Sequence, residues 1–134
     1  MIPHYKNIHN RFKINDFHFD KEALYQLAYT LIKEGKDYEN DLGVFLLDWL
    51  DDKETIQLTT SGTTGALKVI TIKKQSMVYS AIATGNFFSL HPQDKALLCL
   101  PAKYIAGKMM IVRAMILGLE LDIMAPSSHL DDLL

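Results

Sequence analysis

Residues 95–124 constrain the fold more than any other stretch of the chain. "KALLCLP" is an unbroken apolar run of strand character, residues 105–118 read as an apolar helix ending near Gly118, and "ELDIMA" is strand-like again, closed by "PSS". Strand, helix and strand in this order form the βαβ signature, which implies parallel neighbours in one sheet. The pattern predicts an α/β fold with strands near 96–100 and 120–124.

The rest of the chain can be placed around that unit. Asp20 is a candidate N-cap, and Leu24, Leu27, Ala28, Leu31 and Ile32 line one face of a helix near 21–34 that stops at Gly35. A second helix is expected near 41–51, with Leu42, Phe45, Leu46, Trp49 and Leu50 as its buried stripe. "TIQLTT" and "LKVITIKK" predict strands near 56–60 and 68–73. A helix near 76–89 should follow, with Met77, Ala81, Thr84 and Phe88 on one face and "HPQD" ending it. Residues 1–19 have no clear period, and "KINDFHF" reads as either a short strand or an extended arm. No repeat or linker divides residues 1–134, so one domain is expected.

Composition narrows the function. A net charge of −2 with 22% charged residues argues against a general nucleic-acid binder or an electrostatic membrane binder. The most membrane-like stretch, "YIAGKMMIVRAMILGLELDIMA", is interrupted by Lys108, Arg113, Glu120 and Asp122, and the N-terminus has no apolar signal core. The lone Cys99 is expected in the core, and a single thiol suits a reducing, cytoplasmic setting. The five histidines lack metal-ligand spacing, and the adjacent pairs Asp51/Asp52 and Asp131/Asp132 read as solvated surface.

Charge is uneven along the chain. Residues 37–54 hold seven acids, whereas the 39 residues from Thr55 to Gln93 hold none and include Lys68, Lys73 and Lys74. Either an acidic helix face precedes a buried sheet, or carboxylates are kept away from an anion site, and charge alone does not choose.

The segment that would hold such an anion is "LTTSGTTGALKVITI", residues 58–72. Gly62 and Lys68 have the spacing of a Walker A glycine and lysine. However, Leu67 and Val69 occupy the positions where that motif needs Gly and Ser or Thr, and a strand follows instead of a helix. The Walker A reading fails. What remains is a loop between two strands, with hydroxyls from Thr60, Ser61, Thr63 and Thr64, backbone freedom at Gly62 and Gly65, and a charge at Lys68. On residue chemistry alone, a polar hairpin turn and a phosphate nest both remain open.

"TTSGTTGALK" resembles the phosphate-binding loop of the adenylate-forming enzymes, which include the acyl-CoA synthetases and peptide-synthetase adenylation domains. Residues Thr60 to Lys68 depart from the family pattern only at Leu67, where proline is usual. "CLPAKYIAGKMMIVRAMILGLELDIM" is similar to the family's next block. Together the two blocks most resemble the o-succinylbenzoate–CoA ligases of menaquinone biosynthesis, in which a histidine commonly stands where Tyr104 is here.

The resemblance implies a partial adenylate-forming N-terminal domain, with a mixed sheet, a phosphate-loop hairpin and a parallel βαβ unit flanked by helices. It implies a ligase that forms an acyl adenylate and then a thioester, using ATP, Mg2+ and CoA on a small carboxylate such as o-succinylbenzoate. It assigns phosphate contact to Thr60, Ser61, Gly62, Thr63, Thr64, Gly65 and Lys68, and acyl-pocket contact to Tyr104. The family's adenine-, ribose- and magnesium-binding segments and its mobile catalytic lysine have no counterpart here. The chain is therefore expected to be incomplete, inactive alone, without catalytic or metal-binding residues of its own, and open to self-association through an uncovered sheet. The alternative is a non-catalytic nucleotide-binding or interaction module.

Overall fold

The computed structural model describes residues 2–61 and 66–126, apart from the side chain of Ser61. Near the N-terminus, β1 (Lys13–Ile14) and β2 (Phe17–His18) form a minimal hairpin. Asn15 and Asp16 both have positive φ, 49° and 72°, the conformation a two-residue primed turn needs and that Asn and Asp tolerate best. "KINDFHF" is thus strand, and its β1 joins the main sheet.

That sheet has the order β2-β1-β6-β5. Strands β5 (Lys95–Leu98) and β6 (Glu120–Ile123) are parallel, with Lys95 opposite Glu120 and Leu98 opposite Ile123. Helix α4 (Ile105–Leu117) connects them, as the apolar spacing requires. It ends at Gly118, whose φ of 78° is left-handed, and the chain turns there into β6. Strand β6 also pairs in parallel with β1, Ile14 facing Leu121, which makes the sheet mixed.

Helices α1 (Lys21–Glu34) and α2 (Asp37–Leu50) form an antiparallel pair. Asp20 caps α1 by accepting from the Ala23 amide at 2.8 Å. Helix α2 starts four residues earlier than its apolar stripe suggests, because Glu39 reaches back to accept from the Lys36 amide at 3.1 Å. The side chain of Asn40 donates to Gly35 O at 2.9 Å, tying the two helices at their joint. All five stripe residues of α2 are buried, in a core shared with Leu24, Ile111 and Leu121.

The second sheet is a hairpin of β3 (Thr55–Ser61) and β4 (Leu67–Lys73), followed directly by α3 (Lys74–Phe87). Helix α3 starts two residues before the expected boundary and packs along α4.

Three expectations need correction. Helical spacing puts Phe88 on the core face of α3, yet it is 66% exposed. The helix stops at Phe87, and Ser89 at φ 55° turns the chain, so the helical period no longer governs Phe88. Cys99 was expected in the core but is only half-buried, because β5 ends at Leu98 and pleat alternation ends with it. Asp51, which its adjacency to Asp52 suggests is solvated surface, pairs with a lysine that has no exposed side-chain surface, Lys74.

Candidate functional site

Hairpin register decides what the phosphate-loop residues can do. Ile56 faces Ile72, Leu58 faces Ile70 and Thr60 faces Lys68 across the ladder. Directly opposed residues project from the same face, and residues two apart share it. Ile56 and Leu58 are buried, so Thr60 and Lys68 lie on the continuation of the core-facing side, one step beyond where the core ends. Lys68 is exposed there, and among the described residues no carboxylate lies within ion-pair reach of it. Ser61 pairs with Leu67 through the backbone. Gly62, Thr63, Thr64 and Gly65 lie outside the described residues.

The base of the hairpin is anchored. The Lys74 amide donates to Glu54 O at 2.9 Å, closing the ribbon. The Lys74 ammonium sits 2.7 Å from Asp51 Oδ1 and 5.7 Å from the centre of the buried Tyr5 ring. Burial raises the Asp51 pKa, but the hydrogen bonds from Lys74 and the Lys53 amide outweigh it, and the carboxyl ends below its ordinary value. Gln75 continues the anchor, accepting from the Tyr5 amide and donating to Pro3 O at 2.8 Å. Sequence reasoning missed this cluster, because "KK" at a strand end carries no mark of which lysine turns inward.

Tyr104 belongs to a different element. It is the residue before α4, in the connection that leaves the C-terminal end of β5, and it is 52% exposed. Crevices outside the carboxyl ends of parallel strands are where open α/β sheets bind ligands. The turn that carries Tyr104 is tightly built. Its amide donates to Pro101 O at 3.2 Å, and a Cβ on Gly107 would stand 2.2 Å from that same oxygen. Only glycine lets the helix come so close. Lys108 donates to Ala102 O at 2.8 Å and Lys103 O at 3.1 Å, an arrangement its sequence context gave no reason to expect.

The structure thus brings Thr60 and Lys68 together and sets Tyr104 on a separate turn. Two grooves among the described residues lie away from both. One of about 510 Å³ is bounded by Phe88, Leu97, Met110 and Arg113, and another of about 460 Å³ by Tyr5, Lys73, Gln75 and Tyr79. Among the described residues no group of three or more His, Cys, Asp or Glu could hold a metal ion, and no helix is long and apolar enough to cross a membrane.

Comparison with known proteins agrees with the fold. The family model described as AMP-binding enzyme matches residues 31–134. The chain is similar to an acyl-CoA synthetase (AMP-forming)/AMP-acid ligase II-like protein from Dyadobacter fermentans, at 38% identity and a TM-score of 0.66. That match covers 77% of this chain and 29% of the other, so the chain spans under a third of its relative's length. A weaker likeness, at 21% identity and a TM-score of 0.45, is to the adenylation domain AlmE of Vibrio cholerae in complex with glycyl-adenosine-5'-phosphate; it covers 60% of this chain and 16% of that one. No curated protein sequence matches significantly. The four helices, the mixed sheet and the hairpin are those of a partial adenylate-forming domain, and the chain belongs to the AMP-binding enzyme family.

Proposed function

We propose that this chain is the N-terminal part of an ATP-dependent acid–CoA ligase, with o-succinylbenzoate as the acid, acting in the cytoplasm. The observation that carries the reading is Thr60 opposite Lys68 at the mouth of the hairpin, with no carboxylate in ion-pair reach of that lysine among the described residues. In such a reaction a carboxylate oxygen attacks the α-phosphorus of ATP, pyrophosphate leaves, and the thiol of CoA then displaces AMP from the acyl adenylate. Lys68 would neutralise charge on the departing phosphates, Thr60 would offer a hydroxyl beside it, and the backbone of residues 61–65 would supply amide donors. Tyr104 would border the acid, with a phenol that donates or accepts a hydrogen bond but stays neutral near pH 7.

The test supplies the full-length natural polypeptide with ATP, magnesium, o-succinylbenzoate and CoA, and follows pyrophosphate and thioester. Both should appear. Turnover of a different carboxylate in preference would overturn the substrate but leave the class standing. Pyrophosphate release with no carboxylate in a broad panel would sink the class and favour a non-catalytic nucleotide-binding or interaction module. That second reading draws on the outer face of β4, where Leu67 and Val69 are 72% and 63% exposed, a surface suited to self-association.

A further inference from the structure

Lys108 occupies the first turn of α4, a place where a cation is disfavoured twice over. The N-terminal end of a helix carries partial positive charge. Burial depresses the lysine's pKa below 10.5, with Asp48 and Asp41 only partly restoring it. Its Nζ does lie across an aromatic face, 5.6 Å from the centre of the Phe45 ring, which is a favourable cation–π contact. What the ammonium obtains in return is the pair of carbonyls at Ala102 and Lys103, the two residues immediately before Tyr104.

We propose that Lys108 is a positioning residue for Tyr104 in acid recognition, which rests on the function proposed above. Ala102 is buried and Tyr104 exposed, so the chain must turn from core to solvent within three residues. Two carbonyls accepting from one ammonium fix the peptide planes through that turn. The Tyr104 amide closes it on Pro101 O, and the close passage of Gly107 leaves the turn no room to relax inward. Phe45 of α2 lies against the ammonium and Asp48 and Asp41 favour its charge, so the second helix bears on the turn through this side chain. Lys108 acts on the orientation of Tyr104 and touches no reacting atom.

The test compares wild type, Lys108→Met and Lys108→Arg in the full-length natural polypeptide. Lys108→Met keeps the length of the stem, loses both carbonyl contacts and removes a partly desolvated charge. Its melting temperature should hold or rise. Exchange of the Tyr104 amide should quicken by about tenfold, as a locally opened turn requires. The KM for o-succinylbenzoate should rise by about tenfold, the equivalent of one charge-assisted hydrogen bond, with the KM for ATP unchanged. Lys108→Arg should recover much of the exchange protection. Unchanged exchange at Tyr104 in Lys108→Met would overturn the positioning role whatever the activity. So would a fall in melting temperature with both KM values rising together, which is what a merely structural lysine gives. A wild-type protein that activates no carboxylate would instead overturn the proposed function, and the exchange result would still decide whether Lys108 orders the turn.

Discussion

Thr60 and Lys68 stand directly opposite each other on the β3–β4 ladder, on the same face as the buried Ile56 and Leu58. The hairpin therefore changes character along its length, from an apolar anchor at the base to a hydroxyl and a cation at the mouth. Pleat alternation alone produces this, since residues two apart share a face.

Lys68→Ala should weaken ATP binding by about tenfold to a hundredfold, since a hydrogen bond to a charged group contributes about 1.5–3 kcal/mol. Adenylate formation should slow more than thioester formation from preformed adenylate, because pyrophosphate has left by then. Equal losses in the two half-reactions, measured in a folded variant, would make Lys68 structural.

Asp51→Ala strands the Lys74 ammonium without its partner. Breaking a fully buried pair costs about 3–5 kcal/mol, but Asp51 is 38% exposed and water can reach the gap, so about 1–3 kcal/mol is expected. Lys74→Met should cost less, since it removes the buried charge and frees Asp51 to face solvent. Urea unfolding of the two variants checks the order, and the reverse order would refute it.

The same pair sets an acid dependence. Asp51 has a folded-state pKa below its unfolded 3.8, so its stabilisation is fully present above pH 3.8 and is lost as pH falls through the folded value. The stability gap between wild type and Asp51→Asn should be constant near neutrality and close below pH 3.8. A gap that persists in acid would show that the carboxylate charge is not what holds Lys74.

Gly107→Ala offers a test of sign. Helix propensity favours alanine over glycine by about 0.5–1 kcal/mol in a helix interior. Against that, the new methyl would stand 2.2 Å from Pro101 O, a backbone atom that cannot rotate away. The clash should win by about 1–3 kcal/mol, the usual cost of overpacking. A thermal melt that shows stabilisation would mean that the turn relaxes freely.

Val69→Lys probes the uncovered ribbon. Val69 is exposed on the outer face of β4, and the two-strand sheet leaves that strand's far edge unpaired among the described residues. The 134-residue segment should self-associate in sedimentation at high concentration, and a lysine on this edge should reduce it. A wild-type segment that stays monomeric would count against the face as an interaction surface.

The sequence by itself determined the elements from α1 onward, but left β1 and β2 open. Periods of two and of 3.6 residues are local properties, so the strands around the loop, the βαβ unit and the buried stripe of α2 could all be read from spacing. The loop residues could be singled out because the small residues and the lysine fall in one short stretch of sequence. Tertiary structure alone decided which charges turn inward. Asp51 and Lys74 are 23 residues apart, and Lys108 meets Phe45 across two elements, so no local period announces either contact. Phe88 and Cys99 went astray for the complementary reason: each lies one residue past the end of its helix or strand, where periodicity stops governing which way a side chain points.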